Sequence, residues 1–146
     1  MGIGVGVGAV MTAGTHGAYA IGVKLVPSLP LQVTVLYIHA STQSVLSALS
    51  WTLVILIAEE ILWRGALLNV LERRVGRKGA IALSLATYTL AQAGAGSLIV
   101  ALAALVCGAI WTAERVYTSS SLAPLISHTM WTLTVIHLVP VIQLNP

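Results

Sequence analysis

Charge is the scarce element in this sequence, and its placement limits the folds open to the chain. Across 146 residues only eleven side chains are charged: Lys24, Glu59, Glu60, Arg64, Glu72, Arg73, Arg74, Arg77, Lys78, Glu114 and Arg115. Between them lie long apolar stretches. Charged residues make up 8% of the chain and hydrophobic ones 58%, whereas a soluble domain carries about 25% charged residues. Such a chain cannot cover itself with a water-compatible surface. A soluble enzyme, a disordered segment and a nucleic-acid module are excluded as first readings. The basic residues are few and sit where a membrane protein places them, so no nucleic-acid partner is expected. The lone Cys107 allows no intramolecular disulfide.

The expected fold class is all-α: a polytopic membrane helical bundle of about five transmembrane helices. A helix needs about 20 apolar residues to cross the hydrocarbon, and lipid offers no partner for unpaired backbone groups. The first span is expected over 3–26, with Gly4, Gly8 and other glycines at spacings that permit close helix packing. No Lys or Arg precedes Ala18-Tyr19-Ala20, so a retained helix is favoured over a cleaved signal peptide. Residues 27–45, with Pro30, His39, Ser41, Thr42 and Gln43, read as a connector that can hold a short interfacial or re-entrant piece. Further helices are expected over 46–72, 79–93, 97–115 and 121–142, the last stopping near Pro140 or Pro146. A basic loop at 73–78 and a turn at 94–96 separate them. The domain division is 1–45, a Gly-rich helix with its connector, and 46–146, a four-helix membrane core.

Lys and Arg mark the cytoplasmic side. The 73–78 loop and Glu114-Arg115 are therefore expected inside, with the N-terminus inside and the C-terminus and Lys24 outside.

Three charges resist this scheme. Glu59, Glu60 and Arg64 fall in the middle of the 46–72 helix, where each costs about 2.5–3.5 kcal/mol to insert and is expected to face a protein interior. Glu60 and Arg64 are four residues apart and share a helix face, so they can pair. Glu59 points about 100° away and can face another helix. Glu59 precedes Glu72 by 13 residues, Gln92 follows Lys78 by 14, and His128 follows Arg115 by 13. At a rise of 1.5 Å per residue each lies at most ~20 Å from the cytoplasmic boundary. Three polar side chains on three helices can thus meet at one level. A buried Glu can serve as general base. A His opposite can donate to a developing oxyanion, and Thr132, one turn later, can add a second donor.

Glu59-Glu60-Ile-Leu-Trp-Arg64 has the form Glu-Glu-x-x-x-Arg and resembles the first motif of the CPBP family (CAAX proteases and bacteriocin-processing enzymes, or Abi domain). Ser121-Leu122-Ala-Pro124-Leu-Ile-Ser-His128 resembles that family's last motif region, and Gly108 fits its pattern. The resemblance covers about residues 46–135. It implies an Abi-like helical core and an intramembrane endopeptidase in which Glu59 activates water. Glu60 and Arg64 then form a supporting pair, and His128 with Thr132 supplies the oxyanion donors. It also implies a membrane-tethered peptide or protein substrate and a prokaryotic cytoplasmic membrane. No cofactor is expected.

Two departures matter. The family's second motif places a His four residues after an aromatic; here Tyr88 is followed by Gln92, which cannot exchange protons at neutral pH. Thr132 stands where the last motif has Asn or Asp. A catalytically silent homologue, working as a binding, assembly or immunity subunit with a membrane-protein partner, is the alternative. His16 could substitute for the missing His by reaching the cavity from the first helix. Zinc is disfavoured, because catalytic zinc sites usually have at least two His or Cys ligands. Tyr88 and the four Trp residues are assigned to packing and interface anchoring, and Cys107 to the core.

Overall fold

The computed structural model describes residues 2–41 and 44–142, without the side chains of 39–41. Among these residues the chain is helical throughout and contains no strand. Helix α1 spans Gly2–Leu25, α2 Leu29–Ser41 and α3 Val45–Glu59. A π-helical segment, Glu60–Leu67, follows directly and leads into α4, Leu68–Ala93. Helix α5 spans Leu98–Thr118, and α6, Leu122–Thr132, runs on into a second π-helical segment, Leu133–Leu138.

The all-helical expectation stands, but several boundaries are corrected. The 27–45 connector contains a full helix, α2. Pro30 is tolerated there because it sits in the first turn, where a backbone N–H has no helical acceptor to lose. The connector's His39, Ser41, Thr42 and Gln43 side chains, and Pro146, lie outside the described residues. Ser44 then starts α3 as its N-cap, its side chain accepting from the Ser47 N–H at 3.3 Å.

The basic loop expected over 73–78 shrinks to one residue. Gly76 alone departs from helical geometry, at φ 74° and ψ 169°, a conformation that glycine reaches without steric cost. The chain doubles back there: Ser84 reaches the Trp63 carbonyl, and Gln92 reaches Glu59. Helix α5 runs three residues past Arg115 and stops at Ser119, which is left-handed at φ 53°. Helical geometry after α6 ends at Leu138, short of the expected 142, because Pro140 cannot continue it.

The packing differs from that of a water-soluble protein in what it buries beside its apolar core and in what it exposes. Glu60, Arg64, Ser84, Thr112, Glu114, Ser127 and His128 are all buried. On α3 and the π segment, Trp51, Leu53, Val54, Ile55, Ile57, Ile61 and Leu62 are exposed. An apolar surface of this extent is unstable in water and natural in lipid. By length and composition two stretches can cross a membrane: Val45–Ala93, which is two helices joined at Gly76, and Leu98–Thr118.

Helix α1 is seated on α6 by glycine. A Cβ at Gly4 would fall 2.6 Å from the Ala123 carbonyl oxygen, and one at Gly8 would fall 3.1 Å from Met130. The contacts rise together along both helices, from Gly4 with Ala123 to Thr15 with Trp131, so α1 and α6 run parallel. The small-residue interface lets the backbones touch. Gly6 lies on the other face, with nothing within 4 Å. Gly4→Val and Gly8→Val should each lower stability by about 1–3 kcal/mol through overpacking, whereas Gly6→Val should not destabilise. Thermal unfolding of the detergent-solubilised protein, variant against wild type, reads this directly.

Candidate active site

The site is assembled where the π segment faces α4, α5 and α6. A π-helical turn leaves backbone carbonyls displaced from ordinary i→i−4 pairing. Here two carbonyls of the segment also accept from outside the helix, Trp63 in addition to its bond from the Leu68 N–H. The Ser84 hydroxyl donates to the Trp63 carbonyl at 3.1 Å, and Arg115 Nε donates to the Arg64 carbonyl at 3.1 Å. Arg115 is itself steadied by Asn69 Oδ1 at 3.2 Å. The π segment is thus clamped by α4 on one side and α5 on the other.

Glu60 is the hub. Its Oε1 accepts from Arg64 Nη1 at 3.1 Å and lies 2.9 Å from His128 Nδ1. A carboxylate only accepts, so the Nδ1 of His128 carries the proton in this contact. Glu60 and Arg64 are 2% and 1% exposed, so neither charge can be balanced by solvent. The Arg64 guanidinium lies 4.3 Å from the Tyr88 ring centroid and 5.3 Å from that of Trp111, and Nη2 donates to the Gly108 carbonyl at 3.4 Å. Aromatic faces attract a cation and replace part of its lost hydration. Gly108 is required for this approach, because a Cβ there would stand 2.8 Å from the Tyr88 ring. Trp111 also stacks on His128 with centroids 3.6 Å apart.

Glu59 stands beside this hub and is the more accessible carboxylate, 19% exposed against 2% for Glu60. Its Oε1 accepts from Gln92 Nε2 at 2.6 Å. Its Oε2 lies 3.5 Å from the Tyr88 hydroxyl and 4.0 Å from His128 Nε2. The two nitrogens of one imidazole therefore face the two carboxylates. A proton on Nδ1 is fixed by Glu60, and Nε2 is directed at Glu59.

Of the six residues singled out from the sequence, Glu59, Glu60, Arg64, Gln92 and His128 come together. Thr132 sits one turn beyond His128 at the end of α6, its Oγ1 buried without a protein hydrogen bond. His16 does not join the cluster: its ring nitrogens contact the Thr12 and Val139 carbonyls, each at 2.9 Å. Among the described residues no three His, Cys, Asp or Glu side chains are grouped to hold a metal ion.

Tyr88 and Trp111 pack in the core, in line with their assignment, and both also line the Arg64 guanidinium. The four-residue step from Tyr88 to Gln92 puts those two on one face, which was a signal for Tyr88, whereas Trp111 had none. The Arg115 clamp on the π segment and the buried hydrogen bond between Ser127 and Glu114 had no local signal at all.

Comparison with curated proteins and with solved structures gave no match. Comparison with protein families matched residues 40–134, about two thirds of the chain, to the family described as type II CAAX prenyl endopeptidase Rce1-like. The match contains every residue of the cluster. Such a family is membrane-embedded and acts on peptide or protein substrates. With its helical fold and apolar spans, the chain belongs to the Rce1-like family of CAAX-type proteases.

Proposed function

We propose that the protein is an intramembrane endopeptidase that hydrolyses a peptide bond in a membrane-tethered peptide or protein, using Glu59 to activate water. The observation that carries this reading is the partly exposed Glu59 carboxylate, held by Gln92 and facing His128 Nε2. In this scheme Glu59 takes a proton from a water molecule. The hydroxide formed adds to the scissile carbonyl, and Glu59 then passes the proton to the departing amine. No metal enters the scheme.

His128 is the proposed oxyanion donor. To donate there, the ring must carry a proton on Nε2 as well as on Nδ1. With Nδ1 donating to Glu60, the imidazolium then offers Nε2–H to the carbonyl oxygen. Thr132 supplies a second hydroxyl donor. Glu60 and Arg64 act as positioning residues by fixing the ring. Gln92 orients water and Glu59 by hydrogen bonding alone, without exchanging protons. The catalytic core is residues 46–146, braced through α1 by the segment 1–45, in a prokaryotic cytoplasmic membrane.

A second reading is favoured by Gln92 specifically. Its amide occupies Glu59 Oε1 and cannot titrate, so the same scaffold can bind a membrane-protein partner without cleaving it.

The test uses proteoliposomes holding the full chain and a library of membrane-anchored peptides, prenylated and unprenylated. Glu59→Gln should reduce cleavage by about 100-fold or more, the scale of a lost general base, with unfolding temperature retained. Equal cleavage by wild type and Glu59→Gln removes Glu59 from the mechanism. Gln92→His, which adds a titratable group at Glu59, should raise the rate. If neither wild type nor Gln92→His cleaves, and wild type holds a stoichiometric partner that Glu59→Gln also holds, the binding reading replaces the protease.

A further inference from the structure

The basic turn contains a cavity that the Glu59 chemistry does not use. It measures about 130 Å³, against roughly 10–15 Å³ for a single water. It lies between the start of α4 and the end of α5, and Asn69, Glu72, Arg77, Arg115 and Ser119 line it. Both guanidinium groups have a backbone anchor, Arg77 on the exposed surface and Arg115 half-buried. Arg77 Nη2 donates to the Val116 carbonyl at 2.9 Å. Arg115 donates through Nε to the Arg64 carbonyl and through Nη2 to Asn69. A guanidinium has five N–H donors, so one bond on Arg77 and two on Arg115 leave most of them for a ligand.

The charge balance of the lining is two guanidinium groups against the single Glu72 carboxylate. Exposed Arg73, Arg74 and Lys78 add positive potential around the mouth without lining it. Topological marking explains a surplus of basic residues at this turn. It does not explain why two of them are pinned around one cavity on separate helices. A phosphate oxygen pair suits a fixed guanidinium fork in a way that a diffuse counterion does not. The cavity lies where helices of both apolar stretches, Val45–Ala93 and Leu98–Thr118, end on the basic side. At that level an anionic leaflet presents phosphodiesters.

We propose that this cavity is a binding site for the phosphodiester headgroup of an anionic lipid, gripped between Arg77 and Arg115 with Ser119 as an additional hydroxyl donor. The site stands apart from the proposed peptidase chemistry and does not depend on it. Because Arg115 also holds the Arg64 carbonyl, the bound headgroup rests against the same side chain that clamps the π segment.

The test titrates full-length protein in neutral detergent with short-chain phosphatidylglycerol, phosphatidylcholine or inorganic phosphate. Unfolding temperature and, by native mass spectrometry, retained lipid are followed. Phosphatidylglycerol should stabilise wild type saturably and remain bound, whereas phosphatidylcholine should not. Arg77→Gln should weaken the phosphatidylglycerol response by about tenfold, the scale of one charged hydrogen bond. Arg74→Gln, which removes equal charge outside the cavity, should weaken the response much less than Arg77→Gln does. Ser119→Asp places a carboxylate in the cavity on a backbone that Asp tolerates, and should abolish the preference even if Arg77→Gln fails to fold. Equal effects of Arg74→Gln and Arg77→Gln would reduce the site to diffuse attraction and overturn the proposal. So would no phosphatidylglycerol response, or full stabilisation by inorganic phosphate alone.

Discussion

Everything in this bundle is arranged around one oxygen atom. Glu60 Oε1 receives Arg64 at 3.1 Å and His128 at 2.9 Å, and both charges of the ion pair are almost fully buried. Leaving one partner of such a pair alone costs about 3–5 kcal/mol, so the surroundings must supply what water cannot. For the guanidinium they do so from two helices, α4 and α5. Tyr88 and Trp111 present their faces to the guanidinium, Gly108 gives it a carbonyl, and Trp111 stacks on the imidazole. The charge cluster is also the register pin of the fold, because α4, α5 and α6 must all be correctly placed to satisfy it.

The π segment follows from the same constraint. Its Arg64 carbonyl accepts from Arg115, and its Trp63 carbonyl, already paired with the Leu68 N–H, takes a second bond from Ser84. Neighbouring helices thus add to the hydrogen bonding of the wide turn. Packing on the far side is simpler. Helix α1 lies on α6 through Gly4 and Gly8, close enough that a methyl group would strike backbone or Met130. This contact backs the turn of α6 that carries Ser127 and His128. Buried polar side chains sit within an apolar core that includes Tyr88, Cys107 and Trp111, while many large apolar residues face outward.

Much of the site was legible because helix geometry converts sequence distance into depth. The separations of 13 and 14 residues put Glu59, Gln92 and His128 at one level, and the contacts at 2.6 and 4.0 Å show them meeting. The Glu60–Arg64 pair followed from a four-residue step. What was hidden has a common cause: it depends on partners distant in sequence. Nothing in Glu60–Leu67 marks a π-helix, because its stabilising donors come from α4 and α5. Aromatic residues default to packing, so Tyr88 and Trp111 could not be tied to Arg64 before the helices were placed. Helix α2 was obscured by Pro30, which breaks helices in their interior but not in their first turn. The basic loop was overestimated because Gly76 alone supplies the reversal.

The central claim is that Glu60 holds the proton on His128 Nδ1 and so directs Nε2 toward Glu59. It is tested most directly by nitrogen NMR of protein labelled at the imidazole rings of His16, His39, His128 and His137, in wild type and Glu60→Gln. In wild type, Nδ1 of His128 should be protonated. Glu60→Gln should shift the His128 ring resonances while those of His16 and His137 stay in place. A His128 ring without a proton on Nδ1, or one indifferent to Glu60→Gln, would contradict it.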